Sequence, residues 1–349
     1  MPQDHNLFLA ASNEAPKKQT IESIMRALMH SEFGDPAEVL TIENIPVPDP
    51  GPGEVRVRTL LSPIHNHDLW TIRGSYGFKP EFPARSGSEA VGIVDAMGEG
   101  VTGLEIGQRV ATGGTFGVWA EYFIAKAAAL IPVAEAIPDE VAAQLVSMPF
   151  SAISLVESLN LEEGDWLVQN AANGAVGRLV AQLAAARGIN VIGLVRRSAG
   201  VEELSAQGIG NIVATDTEGW VDQVHAIAAG APIIAGVDSV GGSASGEVLS
   251  LLAENGTLVV FGAMQSPVME IGSGAVIFKQ VTIRGFWGSK VSASMPAEKR
   301  RELMGELFKH LGAGDLTLPV EAIFSLEEAG AATQANFAPG RVGKIMLRP

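Results

Sequence analysis

Apolar residues along this chain follow two periods, and the change between them falls near Asp139. Upstream, Val55, Val57 and Thr59 alternate with Arg56 and Arg58, the spacing of a half-buried strand. Arg26–His30, Val39–Ile45, Glu89–Met97, Arg109–Ala111 and Trp119–Ala125 are further strand candidates. Turns such as the stiff Pro46–Glu54 segment and Gly98-Glu99-Gly100 separate them. Many short strands of this kind predict a small barrel-like module. Downstream, Val141, Ala142, Leu145 and Val146 open a helical pattern that Ala152–Leu159 continues. Strands then read at Trp166–Val168, Asn190–Val195, Asn211–Ala214, Ile233–Asp238, Thr257–Phe261 and Val281–Phe286. Helices lie between them: Leu179, Val180, Leu183 and Ala184 share one face, and Val201–Gln207, Trp220–Ala228 and Ser245–Ala253 follow. That alternation predicts an α/β architecture with a doubly wound parallel sheet. Residues 299–312 read as an amphipathic helix, and Pro319–Leu347 returns to short β-like segments. The tail most simply packs back on the first half, so that the α/β domain is inserted in a discontinuous partner.

The stretch Asp165–Ser198 contains the turn Ala171-Ala172-Asn173-Gly174-Ala175-Val176-Gly177 at the start of a βαβ unit. Backbone N–H groups at such a helix start can approach a phosphate. Ala171 stands at the usual first glycine, Gly174 permits close approach of a pyrophosphate, and Gly177 permits tight helix–strand packing. The second strand ends in Arg196-Arg197-Ser198, with no acid before Glu202. An acid at that point would bind free ribose hydroxyls, whereas guanidiniums and a hydroxyl suit a 2′-phosphate. These residues favour NADPH.

Composition narrows the partners. A chain of 349 residues is long enough for two domains, and with 47% hydrophobic and 18% charged residues it is globular. A formal charge of −15 argues against nucleic acid and anionic membranes. Cysteine is absent, which excludes disulfides, thiolate zinc sites and a cysteine nucleophile and fits a cytoplasmic protein. No apolar run approaches the roughly 20 residues of a spanning helix. Residues 1–24 lack the basic start and apolar core of a signal peptide. They read as a poorly ordered arm or leader, with the fold beginning at Met25.

Several stretches together resemble the medium-chain dehydrogenase/reductase superfamily. PDPGPGEVRVRTLLSPIHNHDL and GSEAVGIVDAMGEGVTGLEIGQRV match its substrate domain, and NAANGAVG matches its nucleotide turn. Within it the chain is most similar to the 2-enoyl thioester reductases, through Gly74-Ser75-Tyr76-Gly77-Phe78-Lys79-Pro80-Glu81-Phe82-Pro83, Gln169-Asn170-Ala171-Ala172-Asn173 and Ile283-Arg284-Gly285-Phe286-Trp287. The resemblance implies a Rossmann NADPH-binding domain at 151–288 and a GroES-like barrel formed by 25–150 with 289–349. It also implies cofactor contacts. Asn173, Gly174, Ala175 and Val176 match the turn at the pyrophosphate, and Arg196, Arg197 and Ser198 the basic 2′ segment. Phe261-Gly262-Ala263-Met264 and Phe286-Trp287-Gly288 match the walls beside the nicotinamide, and Lys344 a C-terminal contact. Met148 replaces an asparagine used near the nicotinamide.

Zinc-dependent members carry Gly-His-Glu where this chain has Gly87-Ser88-Glu89, and His65 stands at the position of their first cysteine. With only His67 nearby, no metal is expected. Reduction without a metal needs a hydroxyl to meet the developing enolate or to protonate C2. Of the two tyrosines, Tyr122 lies in a strand pattern, while Tyr76 sits in a glycine-flanked loop and matches the proton donor of the enoyl reductases. Tyr76 is therefore the catalytic candidate. Two other readings stay open: an NADPH:quinone oxidoreductase of the same superfamily, and a non-catalytic NADPH-binding protein. The apolar Val281–Phe286 segment, expected at a sheet edge, predicts a homodimer.

Overall fold

A computed structural model describes residues 23–349. Its α/β half is built on a six-stranded parallel sheet in the order Ile212–Ala214, Asn190–Val195, Trp166–Gln169, Ile233–Asp238, Thr257–Val260, Thr282–Gly285. Strand order reverses between Trp166–Gln169 and Ile233–Asp238, so the ligand crevice of such a sheet lies at the carboxyl ends of these two strands. Val168, Ile192 and Leu258 pack into the core on one face, and Leu167, Val191, Val237 and Val259 into the core on the other. Burial of both faces is why these strands read as continuous apolar runs without alternation.

The β-rich half contains a larger sheet in the order Val320–Ser325, Lys344–Arg348, Glu54–Pro63, Glu89–Met97, Arg109–Gly113, Ile131–Pro132, with Tyr122–Lys126 also paired to Glu54–Pro63. A smaller sheet joins Thr41–Pro46, Ile24–His30 and Ala84–Arg85. Val55, Val57, Trp119 and Phe123 meet Ile345 and Leu347 in one core, which is how the C-terminal strand belongs to the first half of the chain. Met346 lies opposite Pro63 in that pairing.

Some segments depart from the expected pattern. Val39–Ile45 divides into a helical turn, Pro36–Val39, capped by the Asp35 side chain, and the strand Thr41–Pro46. Within the β-like tail, Ala329–Asn336 is a helix, preceded by a capping box between Ser325 and Glu328. The helices Asn66–Ile72 and Ser273–Lys279 are too short to show a period. The expected break at 289 also shifts. Leu303 and Leu307 of the helix Ala297–Ala313 pack with Leu167 and Leu179 of the parallel-sheet half, and Leu316 follows them. The chain rejoins the barrel only at Val320. Similarly, Phe150 and Ile153 put the helix Ser147–Ser158 in the parallel-sheet core. The expected arm, 1–24, lies almost wholly outside the described residues; Ile24 opens the first strand.

Candidate active site

The helix Ala175–Ala186 leaves the central strand with Gly174 as its N-cap. At the preceding turn Ala171 has φ +50°, a left-handed backbone that costs a non-glycine residue roughly 1–2 kcal/mol. This is the position where the first glycine of the turn is usual. A Cβ on Gly177 would lie 2.6 Å from the Ala171 carbonyl oxygen and 2.9 Å from the Ala172 Cα, so glycine alone lets the helix seat against the strand. A Cβ on Gly174 would meet only the Ala171 carbonyl oxygen, at 3.1 Å; the rest of its surroundings are open. Gly174 and Ala175 are exposed, and first-turn N–H groups have no partners within a helix. The turn can therefore accept a phosphate. Gly177→Val should lower stability by about 1–3 kcal/mol through overpacking and abolish dinucleotide binding, as read by thermal unfolding and fluorescence titration.

Two polar residues stiffen the crevice. Asn170 Nδ2 donates to Asp238 Oδ1 at 2.6 Å, and Asn170 Oδ1 accepts from the Ser239 N–H at 2.7 Å. The Val240 and Gly241 N–H groups also donate to Asp238 Oδ1, and the Ser245 hydroxyl donates to Oδ2 at 2.5 Å. The buried carboxylate thus ties together the ends of both central strands and the following helix. Sequence reasoning assigned neither Asn170 nor Asp238 a role. The available signal was a polar residue ending each of two strands that are otherwise apolar.

Arg196, Arg197 and Ser198 stand exposed after the strand Asn190–Val195. The Ser198 hydroxyl donates to Asp216, 3.4 Å away.

Phe261 to Met264 follow the strand Thr257–Val260, with the Phe261 and Gly262 N–H groups both donating to the Asp238 carbonyl. Phe261 is half-buried, whereas Phe286 is only 6% exposed and packs in the core with Phe150 and Leu303. Phe261 offers the larger surface of this pair, with the Phe286 ring behind it, centroids 5.8 Å apart. Gly288 is needed where a Cβ would come within 2.6 Å of Ser151 Oγ. Met148 is half-buried in the first turn of Ser147–Ser158 and packs on the same core. Met264 Sδ lies 3.4 Å from Asn66 Nδ2.

Across the crevice, Trp287 Nε1–H donates to Tyr76 Oη at 2.9 Å. The two rings meet edge to face, and a Cβ on Gly77 would sit 3.2 Å from the indole. The Ser75 and Tyr76 N–H groups both donate to the Trp70 carbonyl, which fixes the loop to the end of the helix Asn66–Ile72. The indole donates into the phenol oxygen and leaves the phenol's own proton available.

Beneath Tyr76 lies a buried polar network. His65 Nε2 is 2.6 Å from Glu89 Oε2, and Lys344 Nζ is 3.0 Å from His65 Nδ1. Glu89 Oε1 accepts the Val146 and Ser147 N–H groups, each at 2.7 Å, at the start of the helix carrying Met148. Burial pushes the Glu89 carboxyl up to about 7 against these stabilising bonds. Burial also brings the Lys344 ammonium down to about 8 and holds His65 neutral, well below its usual value. His67 Nε2 contacts Ser88 Oγ at 2.7 Å, and the Ser88 hydroxyl donates to Asp68 Oδ1 at 2.6 Å. Lys344, expected as a cofactor contact, has its ammonium engaged by His65 and the Ile64 carbonyl. It is 7% exposed and belongs to this network.

Residues 51–135 match the alcohol dehydrogenase GroES-like domain family and residues 175–306 the zinc-binding dehydrogenase family. The human protein named mitochondrial enoyl-[acyl-carrier-protein] reductase is 32% identical over 329 residues, 93% of this chain and 88% of its own. The chain belongs to the medium-chain dehydrogenase/reductase superfamily. Among solved structures, a Pseudomonas syringae pv. tomato quinone oxidoreductase matches with TM-score 0.84 and 27% identity, over 93% of this chain and all of that one. A mycobacterial protein crystallised with NADPH matches with TM-score 0.83 and 27% identity over the same shares. The fold is thus a GroES-like domain with a Rossmann domain, and the chain is an oxidoreductase of this superfamily. The zinc of the family's name does not fit its residues. Both ring nitrogens of His65 are engaged, Ser88 replaces a histidine, and the described residues form no group of three ligating side chains.

Proposed function

We propose that this oxidoreductase reduces the C2=C3 bond of 2-enoyl thioesters with NADPH, and that Tyr76 is the proton donor. The observation that carries this reading is the Tyr76 phenol, held by Trp287 at the mouth of the Rossmann crevice with its proton free. Asn173 to Val176 would hold the pyrophosphate, Arg196, Arg197 and Ser198 the 2′-phosphate, and Phe261 to Met264 with Trp287 the nicotinamide. The bound dinucleotide supplies a hydride to C3. Tyr76 then meets the charge that develops on the thioester oxygen and returns a proton to C2. The likeness to quinone oxidoreductases supports the rival substrate class. NADPH oxidation measured side by side with crotonyl-CoA and with a quinone separates them; turnover confined to the quinone would overturn the enoyl reading.

The arginine pair gives a second test. Arg196→Ser with Arg197→Ser should lower kcat/KM for NADPH by at least about 100-fold, since charge-assisted hydrogen bonds contribute roughly 1.5–3 kcal/mol each. The value for NADH should be little changed. Equal losses with both cofactors would remove the pair from the 2′ site.

A homodimer through the outer strand of the parallel sheet is part of the same reading. Thr282–Gly285 is the edge, and beside it Phe278 is 82% and Ile277 58% exposed. Phe278→Glu should shift sedimentation from dimer to monomer. No described helix is long and apolar enough to cross a membrane.

A further inference from the structure

A cavity of about 220 Å³ opens in the barrel half, behind the helix Asn66–Ile72 and the loop that carries Tyr76. His30, Arg85, Phe78 and Phe116 line it, with Glu81 and Asp68. Phe78 and Phe116 stack with centroids 4.3 Å apart and remain 38% and 43% exposed, an aromatic wall with an open side. Arg85 follows from a glycine. Gly117 has φ +88°, and a Cβ there would lie 3.0 Å from the Arg85 Cβ and 3.1 Å from its Nε, so the arginine stem runs along bare backbone.

The polar groups in this cavity are short of acceptors. His30 is 1% exposed, and its Nε2 has no hydrogen-bond partner among the described residues. The Ser86 hydroxyl lies 3.1 Å from its Nδ1. With that hydroxyl donating, the ring carries its proton on Nε2; the Ala84 carbonyl lies near the ring without completing a hydrogen bond to that nitrogen. Arg85 forms no ion pair among the described residues, although burial holds its guanidinium below the ordinary arginine range. Arg85 is half-buried, and a bidentate carboxylate is the ligand that best matches a guanidinium without an anion. Of the acids, Asp68 already accepts from Ser88 and from the His65 N–H, and Glu81 is exposed at the rim.

We propose that this cavity binds a small carboxylate-bearing ligand, its carboxylate on Arg85 and the His30 N–H and a short acyl or single-ring body against Phe78 and Phe116. The volume falls below the roughly 300 Å³ of drug-sized sites, which limits the ligand to a single ring or short chain. Two sources share this chemistry: the distal carboxylate of a substrate, or a free acid that binds beside the Tyr76 loop. The proposal is independent of the enoyl reading, because its first test needs no turnover.

Calorimetric titration of the full chain with benzoate and with benzamide is that test. One saturable benzoate site is expected, with benzamide about tenfold weaker or worse, the loss of one charge-assisted contact. Arg85→Gln should weaken benzoate about tenfold and Arg85→Lys much less, while Glu81→Gln should tighten it by removing the opposing charge. Thermal unfolding reports whether Arg85→Gln is folded; if it is not, the benzoate-to-benzamide ratio and Glu81→Gln decide alone. Absence of saturable benzoate binding, equal binding of benzamide, or a folded Arg85→Gln chain that binds benzoate undiminished would overturn the proposal. Given binding, the source follows from turnover of methyl-ended and carboxylate-ended enoyl thioesters. A kcat/KM loss in Arg85→Gln confined to the carboxylate-ended substrate assigns the site to the substrate's end. Unchanged values for both assign it to a free acid.

Discussion

Tyr76→Phe is expected to lower kcat for enoyl thioester reduction about 100- to 10,000-fold, the range for losing a positioned general acid. Dinucleotide affinity should stay within about twofold, because the phenol belongs to the barrel loop and not to the phosphate turn. Hydride delivery to C3 leaves an enolate that must be met by a donor already in place, and preorganised donors contribute most in a crevice that excludes water. Tyr76 has such placement from two directions. Its backbone N–H is tied to the Trp70 carbonyl, and its oxygen accepts the Trp287 indole N–H. That indole hydrogen bond also favours the phenolate left after proton transfer, so Trp287→Phe should reduce kcat by less, about tenfold, the value of one hydrogen bond. Single-turnover kinetics with NADPH bound would read both effects. Full activity in Tyr76→Phe would exclude the phenol as the acid and favour a substrate class that needs none.

Much of the fold was legible because burial writes itself into periodicity. Strands covered on both faces appear as unbroken apolar runs, as at Ile233–Asp238, and strands covered on one face alternate, as at Val55 to Thr59. The glycine turn before Ala175–Ala186 was legible for a different reason: Gly177 is dictated by a close backbone approach that a Cβ would block. Short helices were not legible. Ala329–Asn336 is built mostly of small residues that carry no apolar stripe, and only the Ser325–Glu328 capping box before it marks the start. The amphipathic pattern of Ala297–Ala313 announces that this helix packs, not on which half.

The site divides in the same way. Tyr76 and the arginine pair stand out in the sequence as candidates because their chemistry falls outside the apolar pattern. What holds them was not visible, since Trp287 lies 211 residues from its partner Tyr76. Phe286 and Lys344 are expected from the sequence as cofactor contacts, and in the fold the ring packs in the core and the ammonium lies against His65. A sequence position specifies the neighbourhood; burial decides whether a side chain faces ligand or protein.

Lys344→Met is expected to destabilise the protein more near pH 8 than near pH 5, because it removes the cation that lowers the buried Glu89 carboxyl. The sign of its pH dependence follows from the two groups. Glu89 is held at about 7 against an ordinary 4.5, so between those values the folded protein keeps a proton that the unfolded chain releases, and stability falls as pH rises. Lys344 is held at about 8 against an ordinary 10.5, so its penalty is absent at high pH and develops as pH falls from 10.5 towards 8. Near pH 7–8 both penalties apply, each already reduced by the attraction between the groups. Without Lys344 the Glu89 carboxyl loses a cation that lowers it and moves higher still. The loss in Lys344→Met should therefore shrink as pH falls to about 5, where Glu89 is protonated in either chain. Adding Glu89→Gln should recover most of the loss near pH 8, because an uncharged isostere still accepts the Val146 and Ser147 N–H groups. Urea unfolding of the four chains at both pH values reads the cycle. A loss equal at both, or untouched by Glu89→Gln, would show that Lys344 acts through packing alone. With coupling, the charge state of Glu89 bears directly on the turn that leads into Met148, beside the proposed nicotinamide site.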